Sequence, residues 1–211
     1  TLNIIAKQPH VSLPSFVLRA LMKQILEVLR VIHSIGLVHR PPGSGRVYAK
    51  ICDFGFTKKE DLQNEQIYIV GTVPFMSPEQ FNEKALITQK VDIYALGITF
   101  YNIITHKFPV KCPSLKEQGK KMAKLKSIDR PSEIKGDILW GLLSKMLEFD
   151  PIKRITAAEA LQHPYFTSPE AILDISKEQQ DLASSATTAK LEIDSNITEF
   201  DKDPTFIVAQ S

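Results

Sequence analysis

The groups able to do chemistry fall into a series of short motifs in one order. His39-Arg40 follows a long helical stretch, and Asp53-Phe54-Gly55 ends a strand-like run. Gly71-Thr72 precedes Ser77-Pro78-Glu79, whose last residue lies 27 residues from Asp53, counting both ends. Asp92 and Gly97 mark an apolar segment, Asp150-Pro151-Ile152-Lys153-Arg154 comes next, and His163-Pro164-Tyr165-Phe166 comes last. One tripeptide match is weak, but six such features in one order are specific. Taken alone, Asp53 is a strand-end carboxylate, His39 a packed imidazole and Cys52 a small buried hydrophobe.

The elements that must carry these groups can be read from periodicity. Over residues 14–35, Arg19, Lys23, Glu27 and Arg30 share one face, while Leu18, Leu21, Met22, Ile25, Leu29 and Ile32 fill the other. That is an amphipathic helix, with Pro14 where a first turn tolerates it and Gly36 where a helix ends. Leu37-Val38, the turn Pro41-Pro42-Gly43-Ser44-Gly45 and the alternating strand Arg46–Cys52 predict a short hairpin.

Residues 91–105 are apolar nearly all round, so this helix should be buried all round and form the pillar of the core. Burying the carboxylate of Asp92 unpaired is too costly, so it is expected to cap or anchor neighbouring backbone. Ile138–Leu147 reads as a helix, and Thr156-Ala157-Ala158-Glu159 as a capping box opening another.

The 211 residues fit one domain plus an appendage, and 43% hydrophobic with 24% charged residues is ordinary globular composition. No apolar run is long enough to span a bilayer, and two cysteines, Cys52 and Cys112, cannot form a disulfide framework. The chain is therefore expected to be soluble and cytoplasmic, without a membrane or nucleic-acid partner. The net charge of +2 hides an asymmetry, because residues 167–211 carry nine acidic and three basic groups. This stretch is expected to be an acidic, mostly disordered tail with one short helix around 169–183. The run Lys107, Lys111, Lys116, Lys120, Lys121, Lys124 and Lys126 is either a solvated face or a dock for an acidic peptide or the chain's own tail.

With these motifs in this order, residues 10–166 resemble the C-terminal lobe of a eukaryotic protein kinase of the serine/threonine type. The resemblance implies a mainly α fold, a helical bundle around a buried central helix with one short β-hairpin. Residues 1–9 would then be a segment just past the hinge between lobes, and the N-terminal lobe is expected to be absent from the chain. It implies ATP and magnesium as cofactors, with Asp53 as the metal and cofactor ligand, because a hard divalent cation takes carboxylate oxygen. It implies Glu79 and Arg154 as a structural ion pair, structural roles for His39, Arg40 and Asp92, and Thr72 in a substrate-docking segment. The implied partner is a protein substrate or a regulatory protein.

Two departures decide what this chain can do. The family's catalytic loop runs His-Arg-Asp, then a Lys two residues on, then an Asn. Here Arg40 is followed directly by Pro41, and His39 lies only 14 positions before Asp53. The catalytic Asp, its Lys and its Asn are missing while the flanks keep family character. In addition, no glycine-rich loop, strand Lys or Glu-bearing helix precedes residue 10. Three readings compete: a partial, inactive form of a serine/threonine kinase, a pseudokinase-type binding or scaffold module, or a non-functional product. An uncovered lobe interface would also favour self-association.

Overall fold

The computed structural model describes residues 12–35, 72–82, 88–191 and 197–208. These residues are mainly helical. The expected hairpin over 37–52 lies outside them, as do His39, Arg40, Cys52 and Asp53. Among the described residues no helix is long and apolar enough to cross a membrane. The described residues form two compact units, one of 72–160 with Ser12, the other of 13–35 with 161–208.

In the second unit, α1 (Ser15–Ile35) is the longest helix, closely matching the 14–35 predicted from its periodicity. Leu18, Leu21, Met22, Ile25, Leu26 and Leu29 are all buried. In the first unit, α2 (Lys90–Thr105) follows two short 3-10 turns, Val73–Phe75 and Pro78–Phe81. The predicted pillar is present: Ile93, Tyr94, Leu96, Ile98, Phe100, Tyr101 and Ile103 are buried on every side of α2. The helix ends at His106, which takes the left-handed conformation (φ 56°) and donates its backbone N–H to the Asn102 carbonyl.

After α2 come α3 (Leu115–Met122), α4 (Asp137–Met146) and α5 (Ala157–Leu161). Tyr94, Ile98, Tyr101, Val110, Met122 and Leu147 form one buried cluster, with Phe75, Phe81, Phe108, Trp140 and Phe149 packed against it. Gly97 lets α2 approach α4 closely. A Cβ there would sit 2.9 Å from Leu147 Cδ2 and 3.2 Å from Met146 Cβ. The capping box at α5 is formed, with Glu159 Oε2 accepting from Thr156 N at 2.8 Å and Thr156 Oγ1 accepting from Glu159 N at 3.2 Å.

The segment read as a mostly disordered tail is largely folded. α6 (Pro164–Thr167), α7 (Pro169–Leu173), α8 (Lys177–Leu191) and α9 (Glu199–Lys202) succeed one another, and a 3-10 turn at Pro204–Phe206 packs on α1. Part of its apolar content is placed inward: Ala171, Ala183, Ala186, Ile197, Ile207 and Val208 are buried, whereas Ile172, Leu173 and Phe200 stay exposed. Polar groups do the rest. Gln179, only 2% exposed, accepts from Ser176 N at 2.9 Å and donates to the Ile207 carbonyl at 2.7 Å. A shortage of apolar residues predicts disorder, whereas buried polar contacts such as these hold the segment in place.

Candidate functional site: the lobe core and its flanking surface

Arg154 and Glu79 are the best-defined charged pair. Arg154 Nη1 donates to Glu79 Oε1 at 2.6 Å and Nη2 to Oε2 at 2.8 Å, a two-pronged contact between side chains 0% and 6% exposed. Planar guanidinium and carboxylate match edge to edge, which is why arginine fits here better than lysine. The guanidinium has further partners in the carbonyls of Glu148 (2.7 Å) and Lys90 (2.8 Å). Its carbon also lies 5.0 Å from the Tyr94 ring centroid. Each of these contacts matters, because a buried charge is tolerated only when its hydrogen-bonding capacity is used.

Two sequence features place these residues. Ser77 begins a capping box in which its backbone N–H donates to Gln80 Oε1 at 2.9 Å, holding the 3-10 turn that carries Glu79. At the other end, Asp150 Oδ1 accepts from Ile152 N at 2.9 Å, and the Asp150 carbonyl accepts from Arg154 N at 2.9 Å. The Asp-Pro-Ile-Lys-Arg stretch therefore curls into a turn that aims the arginine inward. Burial of the Tyr94 hydroxyl beside the pair raises its pKa well above the ordinary phenol value; the Arg154 charge opposes this shift and the Glu79 charge adds to it.

The remaining site residues predicted from sequence are distributed differently. Thr72 is exposed and its carbonyl accepts from Phe75 N at 2.9 Å, so it opens the 3-10 turn that stacks Phe75 edge-on against Phe108 at 5.3 Å. Gln89 holds the N-cap position of α2, and Asp92 lies exposed in its first turn. A carboxylate there gains from the positive end of the helix dipole without being desolvated. Among the described residues no three His, Cys, Asp or Glu side chains are grouped to hold a metal ion.

Sequence reasoning missed α3. Ser114 accepts from Glu117 N at 3.3 Å, and this Ser-x-x-Glu start was the available signal inside the lysine run. Buried Gln118 then ties α3 to the preceding loop, accepting from Cys112 N at 2.9 Å and donating to the Val110 carbonyl at 3.1 Å. As a result α3 rests on the 3-10 turns at 73–75 and 78–81, with Phe81 against Gly119.

A helical lobe built on a buried central helix and anchored by a Glu–Arg pair is the architecture of a kinase C-terminal lobe. Comparison with known proteins agrees. A model of the protein kinase domain matches residues 2–166. Sperm motility kinase 3A of Mus musculus is 30% identical over 168 residues, covering 77% of this chain and 33% of the relative. Protein kinase kin1 of Schizosaccharomyces pombe is 31% identical over 153 residues, covering 70% and 17%. A probable serine/threonine-protein kinase of Zea mays, CCRP1, is 29% identical over 157 residues, covering 71% and 25%. The chain belongs to the eukaryotic protein kinase family, serine/threonine type. It spans a third or less of the length of these relatives.

Proposed function

We propose that the chain is part of a serine/threonine protein kinase whose reaction is ATP-dependent phosphoryl transfer to protein hydroxyls, and that this form does not itself catalyse the transfer. One observation carries the reading: Arg40 is followed by Pro41-Pro42-Gly43-Ser44-Gly45, where the family places the Asp that accepts the substrate hydroxyl proton. Loss of a general base alone lowers a rate by about 10²–10⁴-fold. The Asn that holds the second metal is missing from the same stretch, which removes part of the positioning on which phosphoryl transfer depends. Asp53 remains as the one family metal ligand in the sequence, and magnesium held there would offset phosphate charge.

A second reading, a pseudokinase-type binding module, is supported by the state of the described scaffold. Its buried side-chain polar atoms all have hydrogen-bond partners, and the Glu79–Arg154 pair is complete. Such a lobe can hold a protein without doing chemistry.

Incubation of the purified chain with magnesium, labelled ATP and a generic serine/threonine substrate is expected to give no transfer above background. Insertion of an Asp-, Lys- and Asn-bearing loop after Arg40, in a form extended to the full kinase domain, is expected to restore it. Transfer by the chain as it stands, abolished by Asp53→Ala, would overturn the proposal. The genomic sequence between the codons for Arg40 and Pro41 separates the two readings. An intervening segment encoding the missing residues favours the partial kinase, and its absence favours the binding module.

A further inference from the structure

Residues 107–126 hold seven lysines and a single acidic residue, Glu117. Two of the lysines are engaged: Lys107 pairs with Glu133 at 2.8 Å, and the Lys111 ammonium lies 5.7 Å from the Phe108 ring centroid. Lys116, Lys120, Lys121, Lys124 and Lys126 are all exposed and form no ion pair among the described residues.

Their arrangement is set by α3. Gln118 and Met122 point into the core, so Lys116 and Lys120, one turn apart, share the solvent side. Lys121 and Lys124 continue that side through the closing turn, where Lys124 N donates to the Lys121 carbonyl at 3.1 Å. Like charges at this spacing repel each other. The negative end of the helix dipole relieves Lys120 and Lys121 only in part.

We propose that α3 and the turn after it form a docking surface for an acidic segment of a protein partner, a run of Asp, Glu or phosphoserine. Charge complementarity names the chemistry, and position selects a protein over a nucleic acid or a lipid surface. α3 rests on the turns 73–75 and 78–81, the first of which exposed Thr72 opens, and the family resemblance assigns that segment to substrate docking. A protein seated at that segment would lie beside α3, where an acidic flank could reach the lysines of its solvent side. The inference rests on the kinase reading for that placement. It requires binding alone, so it stands or falls separately from phosphoryl transfer.

The test is fluorescence polarisation with a labelled peptide of alternating Glu and Ser, against a scrambled-charge Lys/Ser peptide, using the whole chain. The acidic peptide should bind, and binding should weaken steeply with salt, as expected for exposed charges. In the variant carrying Lys116→Glu, Lys120→Glu, Lys121→Glu and Lys124→Glu, affinity should fall by about tenfold or more. The corresponding four Lys→Ala changes should give a smaller loss. Circular dichroism and thermal unfolding should match the parent, because these side chains are exposed. Equal binding of both peptides, no binding of the acidic one, or retention of affinity in a folded Glu variant would overturn the proposal. So would tighter binding to a single-stranded oligonucleotide or to phosphatidylserine vesicles than to the peptide.

Discussion

The two units of the chain are both helical, but they are held by different kinds of contact. The 72–160 unit is organised around α2, buried on every side, and around one ion pair whose side chains are almost wholly inaccessible. In the other unit, α1 has an apolar face and a polar flank, and the C-terminal segment is fastened to that flank. Arg19 donates to the Tyr165 carbonyl at 2.8 Å and pairs with Asp174. Lys23 pairs with Asp203 at 3.5 Å, bonds Thr205 and lies 4.2 Å from the Phe206 ring centroid, while Gln24 donates to the Phe206 carbonyl. These charges are partly exposed, at 16% for Arg19 and 18% for Lys23. The first unit therefore concentrates its stability in a few buried groups that cannot be removed singly, and the second spreads it over many weaker contacts.

Arg154→Ala is the strongest way to break this contrast. It leaves Glu79 buried without its counter-charge, and such a loss costs about 3–5 kcal/mol. Trp140, the only tryptophan, packs on the same core, so its fluorescence in urea reports this unit. The midpoint should fall sharply, and Glu79→Gln combined with Arg154→Met should recover most of the loss. Arg19→Ala, removing a partly exposed pair and one bond to the Tyr165 carbonyl, should cost less, about 1–2 kcal/mol. Similar costs for Arg154→Ala and Arg19→Ala would show that the contrast between the units is mistaken.

Alkali sharpens the comparison, because among the described residues each unit holds a deeply buried phenol, Tyr94 in the first and Tyr165 in the second. Burial is the main cause of the raised pKa of both Tyr94 and Tyr165, the latter pushed up to about 12 with Arg19 opposing and Asp174 adding. A phenol whose folded pKa is raised contributes its full stability below its unfolded value near 10. It loses that contribution as pH climbs toward 12, because only the unfolded chain ionises freely. Tyrosinate absorbance with rising pH should therefore show a cooperative step above pH 10. Tyr165→Phe should flatten the pH dependence contributed by the second unit by about 2–3 kcal/mol. A titration in which Tyr165 ionises near 10 in the folded chain contradicts its burial.

Gly97→Ala tests the first unit by geometry alone. The added methyl meets Leu147 at 2.9 Å and Met146 at 3.2 Å, so α2 and α4 must separate or Leu147 must change rotamer. Overpacking of this kind costs about 1–3 kcal/mol. The same urea measurement should show it, and Leu147→Ala in the Gly97→Ala background should return part of the loss. An unchanged midpoint would mean that the close approach does not matter.

The two units also differed in how far they could be read from sequence. α2 was legible because a helix apolar all round has one stable environment. The Glu79–Arg154 pair was legible because its motifs stand in family order. α3 was hidden because its Ser114 and Glu117 start lies inside a run of seven lysines that reads first as solvated surface. Of the C-terminal segment, local pattern predicted a short helix around 169–183, where α7 and the start of α8 lie, but not how the segment is held. Its holding contacts join residues 146 to 182 positions apart, such as Arg19 to Tyr165 and Gln24 to Phe206. Composition reports the shortage of apolar residues there, but it cannot show that buried glutamines and well-placed carbonyls make up for it.

Gln179→Ala probes that last point with the smallest expected effect. The change removes one hydrogen bond, to the Ile207 carbonyl, and one cap, to Ser176 N, at a side chain only 2% exposed. A net loss of about 1 kcal/mol is expected. Its location matters more than its size. Backbone hydrogen exchange should quicken at 204–208 and at the start of α8, while α2 and α4 keep their protection, because partly exposed segments open locally rather than with the whole. If α2 loses protection equally, the C-terminal segment is part of the same cooperative structure as the buried pillar. If 204–208 exchange as fast in the parent as in the variant, the polar fastening on α1 contributes nothing.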